Sequence, residues 1–178
     1  MTDESKLPTA SALPDDDLSR QLIIARPDTD ENLPHIGLVG DTYTLLLSAK
    51  DTAGKYTLYD MHVPPCGGPA EHRHDCEEMF HVLEGEVEFT FRGKKLVARA
   101  GETVNIPANA PHFFHNQAQN NVRLLCMFIP GGMEGFFDQI GVPVAGRTTP
   151  PPVMTQADKE EFGRKAHELA PKYRTQLL

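Results

Sequence analysis

From residue 43 onward, short runs of β-branched, aromatic and aliphatic residues are separated by turn formers, the pattern of consecutive strands rather than helices. The runs fall at 43–49, 55–63, 79–83, 86–91, 94–98, 103–106, 112–116 and 122–129. Ala53-Gly54, Glu84-Gly85, Arg92-Gly93, Ala100-Gly101 and Asn120-Asn121 supply the breaks. Val87, Phe89 and Phe91 alternate with Glu86, Glu88 and Thr90, so one face is apolar and the other wet, as in a half-buried antiparallel strand. Many short strands at this spacing predict an all-β sandwich or barrel.

The two ends differ from this centre. Residues 1–20 are polar, with Pro8, Pro14 and the acidic run Asp15 to Asp17, and read as a loose arm. Residues 21–140 form the predicted barrel with its N-terminal strands. Residues 141–178 hold a Pro-rich linker followed by a helix, which Thr155 caps with Asp158 three residues on. Phe162, Ala166 and Leu169 share one side of that helix before Pro171 stops it. It is expected to be scaffold rather than site. A shorter helical turn at 133–140 can bring Phe136, Phe137 and Ile140 over a barrel mouth.

A length of 178 residues suits one domain able to close a core. The formal charge of -8, from 17 Lys and Arg against 25 Asp and Glu, disfavours nucleic acid as a partner. Cys66, Cys76 and Cys126 form neither a CxxC pair nor a dense even set, so a reducing cytoplasm is the expected location. No stretch reaches the roughly 20 apolar residues of a membrane span, and no signal peptide is visible.

The chemistry concentrates in His72, His74, Glu78 and His112. Residues two apart on an extended chain point to one face, so His72 and His74 can both enter a lumen and chelate one ion as neutral imidazoles. Glu78, four beyond His74, keeps that parity and adds a charged oxygen ligand, whereas Glu77 has the opposite parity. His112 follows Pro107 and Pro111 and must arrive from a neighbouring strand. Open positions beside such a set suit Fe(II)-type oxygen chemistry, but the residues do not choose among Fe, Mn, Ni, Co, Cu and Zn. His35, His62, His81, His115 and His167 are read as ordinary structural histidines. Arg73, between the two ligating histidines, should point away and pair with surface acids.

Gly67, His72, His74, Glu78 and Gly85 resemble the first sequence motif of the cupin superfamily, and Gly101, Pro107, His112 and Asn116 resemble the second. Two positions depart from the pattern: Cys66 stands where the first glycine is usual, and Asn109 where the second motif has glycine. Asn tolerates left-handed turn geometry. The resemblance covers about residues 43 to 130 and implies an all-β double-stranded β-helix, or jelly-roll, barrel with a short C-terminal helical extension. It further implies a single-cupin homodimer with a metal held by His72, His74, Glu78 and His112. The whole-chain layout resembles bacterial quercetin 2,3-dioxygenase-like cupins. That implies a dioxygenase acting on a flavonol-like or other small enolisable aromatic substrate, with Glu78 also accepting the substrate's hydroxyl proton.

Aromatic and Met side chains on the inward faces are candidate pocket walls, among them Phe80, Phe89, Phe114 and Met127. Phe80 and Val82 share parity with Glu78, whereas Met79 and His81 should face outward. Cys76 shares parity with His74 and can approach a metal, although an ordinary thiol is the simpler reading; Cys66 and Cys126 are assigned no role. A metal-dependent sugar or hydroxy-acid isomerase, or a non-catalytic ligand-binding module, is the alternative function. The isomerase would need polar side chains inside, where the inferred inward positions are apolar.

Overall fold

The structure, a computed structural model, describes residues 13–178. Residues 1–12 of the expected arm lie outside the described residues, and 13–34 carry turns but neither strand nor helix. Part of that segment is tethered, because Asp28 meets Arg147 at 2.6 Å and Arg123 at 3.9 Å.

Among the described residues, twelve strands and two α-helices follow. The strands that shape the body are β1 (His35–Leu38), β2 (Asp41–Leu47), β3 (Thr57–Val63), β4 (His72–His74), β5 (Glu77–Glu84), β6 (Glu86–Phe91), β7 (Lys94–Arg99), β8 (Thr103–Ile106), β9 (His112–His115) and β10 (Val122–Ile129). Helix α1 (Glu134–Ile140) leads to β11 (Val142–Pro143), and α2 (Gln156–Leu169) leads through a 3-10 turn (Ala170–Tyr173) to β12 (Thr175–Leu177). A seven-stranded antiparallel sheet runs β11-β1-β2-β3-β10-β5-β8, and a five-stranded one runs β12-β4-β9-β6-β7. The fold is therefore all-β, a jelly roll of two separate sheets with a C-terminal helical extension. No helix among the described residues is long and apolar enough to cross a membrane.

Strand alternation builds the core between the sheets. Tyr59, Met61 and Val63 of β3, Phe80 and Val82 of β5, Val87 and Phe89 of β6, and Leu124, Cys126 and Phe128 of β10 are all buried. Phe80, Phe89 and Phe114 fill one end with ring centroids 5.1 to 6.1 Å apart, an edge-to-face range that adds to simple burial. At the other end the sheets stay apart and enclose a cavity of about 270 Å³.

Helix α2 starts where its capping box predicts: the Thr155 hydroxyl accepts from the Asp158 N–H, and the Asp158 carboxylate accepts from the Thr155 N–H. The expectation that it serves only as scaffold is corrected by its position, because Phe162, Gly163, Ala166 and His167 line the cavity. Beyond it, β12 pairs with β4, setting Thr175 opposite His74 and Leu177 opposite His72. The chain's end is thus laced to the strand that carries two of the four chemically prominent residues.

Candidate metal centre

His72 and His74 lie two apart on β4, and His112 on β9 is the direct antiparallel partner of His72. Three imidazoles therefore leave the five-stranded sheet on one face, with centroids 4.5 Å (His72–His112), 5.0 Å (His74–His112) and 5.6 Å (His72–His74) apart. Glu78 comes from β5 of the opposite sheet, after the chain crosses over at Asp75-Cys76. One ligand atom from each of His72, His74, Glu78 and His112 falls within 4.8 Å of all the others. Glu77, one residue away, turns outward and accepts from Asn105 Nδ2 at 2.9 Å and the Ala108 N–H at 3.2 Å. Parity along β5 explains the split.

Backbone carbonyls orient every ring. Nδ1 of His72 donates to the Ala70 carbonyl at 2.9 Å, Nδ1 of His74 to that of Cys76 at 3.1 Å, and Nδ1 of His112 to that of Ala110 at 2.8 Å. A carbonyl only accepts, so each Nδ1 carries a proton and each Nε2 offers a lone pair to the centre. Nε2 of His74 and of His112 lie 3.0 Å and 2.8 Å from the same Glu78 oxygen, Oε2.

Lone pairs and a carboxylate aimed at one point require positive charge between them: protons on the Nε2 atoms, or a single cation. Two donors each about 2.1 Å from an ion and at right angles to it are about 3.0 Å apart, which the observed separations match. The donor set of three imidazoles and one carboxylate fits a divalent transition metal and leaves coordination positions open.

The local electrostatics carry the same demand for positive charge beside Glu78. Burial alone would raise Glu78, but hydrogen bonds from His112 and His74 outweigh it and hold the carboxyl far below the usual carboxylate range. Burial, then repulsion from His112, lowers His72 to about 4, leaving it neutral and ready to ligate. For His112 burial pulls downward, yet the Glu78 hydrogen bond and charge prevail and raise it.

Both positions that depart from the motif adopt the glycine-like backbone. Cys66 has φ 66° and Asn109 has φ 67°, the left-handed region that L-residues seldom enter. The Asn109 N–H donates to the His74 carbonyl at 2.7 Å, so that turn braces a ligand strand. At Gly68, φ is 128° and a Cβ would overlap the Phe114 carbonyl oxygen, so glycine is required for this close approach.

Of the expected wall residues, Phe80 and Phe114 line the cavity with the cluster. Phe89 does not, because it sits behind those two rings, and Met127 does not, because it lies between Cys126 and Phe128 on β10 and faces the other way. Cys76 is buried with Sγ 3.1 Å from Nδ1 of His74, on the side of the ring away from Glu78. Burial, then the charges of Glu78 and Glu77, push its thiol up to about 12. Arg73 faces outward and donates to Gln176 Oε1 at 2.7 Å rather than to an acid. His167, read as merely structural, lines the cavity.

Two lining residues were assigned no role from the sequence. Cys126 reaches Glu78 Oε1 at 3.2 Å, and its shared parity with Phe128 was an available signal. Tyr43, on β2, lines the cavity with Phe137 of α1 against its ring at 5.5 Å.

Residues 59–128 match the family model described as Cupin domain. The chain is 28% identical over 127 residues to the quercetin 2,3-dioxygenase of Bacillus subtilis; the match covers 71% of this chain but spans only 34% of that protein's length. Two solved structures share the fold. A protein described as a predicted oxalate decarboxylase, from Thermotoga maritima, has TM-score 0.54 and 22% identity, over 61% of this chain and 99% of its own. The polyketide cyclase RemF from Streptomyces resistomycificus has TM-score 0.54 and 20% identity, over 81% of this chain and 94% of its own.

Proposed function

Since this chain belongs to the cupin superfamily, we propose that it is a metal-dependent dioxygenase acting on a small enolisable aromatic molecule of flavonol type. The observation that carries this reading is the convergence of His72, His74, Glu78 and His112 on one point inside an otherwise apolar, aromatic-walled cavity. These four residues would hold a divalent transition metal, which would supply Lewis acidity and open coordination positions for a substrate oxygen.

The protein's own groups do the rest. Phe80, Phe114, Phe128 and Phe137 present ring faces and edges to a flat apolar body and keep bulk water from the cluster. Glu78, ionised at neutral pH, is both a ligand and the acceptor for the substrate's hydroxyl proton, the role the resemblance gives it. A cavity of about 270 Å³ lies just below the ~300–1,000 Å³ of ordinary small-molecule pockets. That size suits a molecule of a few fused or linked rings. The apolar walls disfavour the sugar isomerase reading, which needs polar groups for each hydroxyl.

The test is metal content by plasma mass spectrometry, followed by oxygen uptake with a flavonol panel on protein reconstituted with iron, manganese, nickel or cobalt. Stoichiometric metal and flavonol-dependent oxygen consumption are expected. Metal-loaded protein that consumes no oxygen with any flavonol or related enolisable phenol eliminates the dioxygenase reading.

A further inference from the structure

The polar side chains around the cavity, beyond the four cluster residues, are few, and nearly all are engaged. Cys126 donates to Glu78 Oε1 at 3.2 Å, Thr175 Oγ1 contacts the Tyr173 carbonyl at 3.2 Å, and His167 Nδ1 donates to the Gly163 carbonyl at 2.8 Å. Tyr43 is different. Its side chain lines the cavity and the residue is only 5% exposed, yet its hydroxyl makes no hydrogen bond among the described residues. Among the described residues the fully enclosed side-chain oxygens without a partner are those of Asp41, Tyr59 and Thr90; the Tyr43 oxygen is not one of them, so it keeps a little accessible surface and a donor free for a ligand.

The ring is held firmly. It packs edge-on against Tyr59 at 5.9 Å and Phe137 at 5.5 Å, and Phe137 continues through Phe128 at 5.6 Å to His74 at 5.7 Å. Tyr43 therefore belongs to the same aromatic wall that reaches the cluster. Burial above all, with the Glu78 carboxylate adding to it, raises the phenol well above its ordinary value and keeps it protonated. It is a neutral hydroxyl there, with a proton to donate.

We propose that the Tyr43 hydroxyl is a substrate-contacting residue that donates a hydrogen bond to a carbonyl or phenolate oxygen of a ligand held at the His72, His74, Glu78 and His112 cluster. The ligand class follows from this: an apolar body with two neighbouring oxygens at its head, one directed at the cluster and one at Tyr43. This inference rests on the metal-centre reading above and adds the second point of recognition.

Tyr43→Phe removes one oxygen and keeps the ring packing. Nickel-loaded wild type and variant are compared anaerobically for metal stoichiometry, thermal midpoint and affinity for 3-hydroxyflavone followed by absorbance. The variant should keep its metal and midpoint while binding 3-hydroxyflavone about five- to tenfold more weakly, the loss of one hydrogen bond. Equal affinity in both proteins, with metal retained, overturns the Tyr43 assignment alone. Metal-loaded wild type that does not bind 3-hydroxyflavone overturns it together with the flavonol reading. Wild type that takes up no metal removes the metal centre and the inference with it.

Discussion

The thiol of Cys126 donates to Oε1 of Glu78 at 3.2 Å, while Oε2 of the same carboxylate faces Nε2 of His74 and His112. Each carboxylate oxygen thus has its own task. Burial, then the charge of Glu78, pushes the Cys126 thiol well up, so it remains protonated and acts as a donor rather than a competing thiolate ligand.

Removing that donor loosens the orientation of Glu78 without touching a ligand. Cys126→Ala should weaken metal binding by about tenfold, the lower end of effects seen for partners of metal ligands. Cys126→Ser, which restores a donor, should recover most of it. Chelator-competition titration reads both, and unchanged affinity in Cys126→Ala would show that Oε2 contacts alone position the carboxylate.

His72→Ala and His112→Ala each delete one of three converging nitrogens, and each should lower metal occupancy more than tenfold. The two residues are register partners on β4 and β9, so both variants should keep the β signal in circular dichroism. His81→Ala is the control: His81 bonds Thr103 Oγ1 at 2.9 Å on the outer face and should bind metal as wild type does. Full occupancy in both cluster variants, by plasma mass spectrometry, contradicts the ligand set.

Most of the body was legible because its physics is local. Strand alternation along 86–91 and 122–129 and the turn glycines are properties of adjacent residues, and β6 and β10 occupy those ranges. The helix was legible for the same reason, through its Thr155–Asp158 cap. What escaped depends on tertiary placement. β1, β11 and β12 are two to four residues long, too short to show a period, and exist because a neighbouring edge pairs them. Met127 was misplaced because periodicity gives two faces without saying which is inner. Cys126, its neighbour on the inner face, was overlooked for the same reason. The role of α2 was hidden because Gly163 and Ala166 look like ordinary small helix residues until the cavity beneath them is known.

Asp41 carries a stability cost that depends on pH. It is fully buried, and neither carboxylate oxygen has a hydrogen-bond partner of normal geometry. Burial raises it well above its unfolded value of 3.8, with the Gly68 N–H opposing weakly. The folded state therefore holds a proton that the unfolded state releases, and the stability present below pH 3.8 is lost as pH rises toward the folded value. Asp41→Asn has no such proton. The stability of the variant relative to wild type should grow by about 1.4 kcal/mol per pH unit across that window and then level off. Urea unfolding at several pH values measures the difference, and a difference that does not change with pH rejects the idea.

Gly163 lies inside α2, lines the cavity, and has open space where a Cβ would stand. Glycine in a helix interior costs about 1 kcal/mol relative to alanine, so its presence weakens the helix while keeping the space beneath it free. Gly163→Ala should therefore raise stability by about 1 kcal/mol and leave ligand binding close to wild type. Gly163→Leu should also stabilise α2, but its side chain enters the cavity. Affinity for 3-hydroxyflavone should fall at least tenfold while metal stoichiometry stays unchanged, since the cluster sits on β4, β5 and β9 rather than on α2. Thermal melts, metal analysis and ligand titration separate these effects. If Gly163→Leu binds the flavonol as tightly as wild type, α2 does not bound the ligand's space.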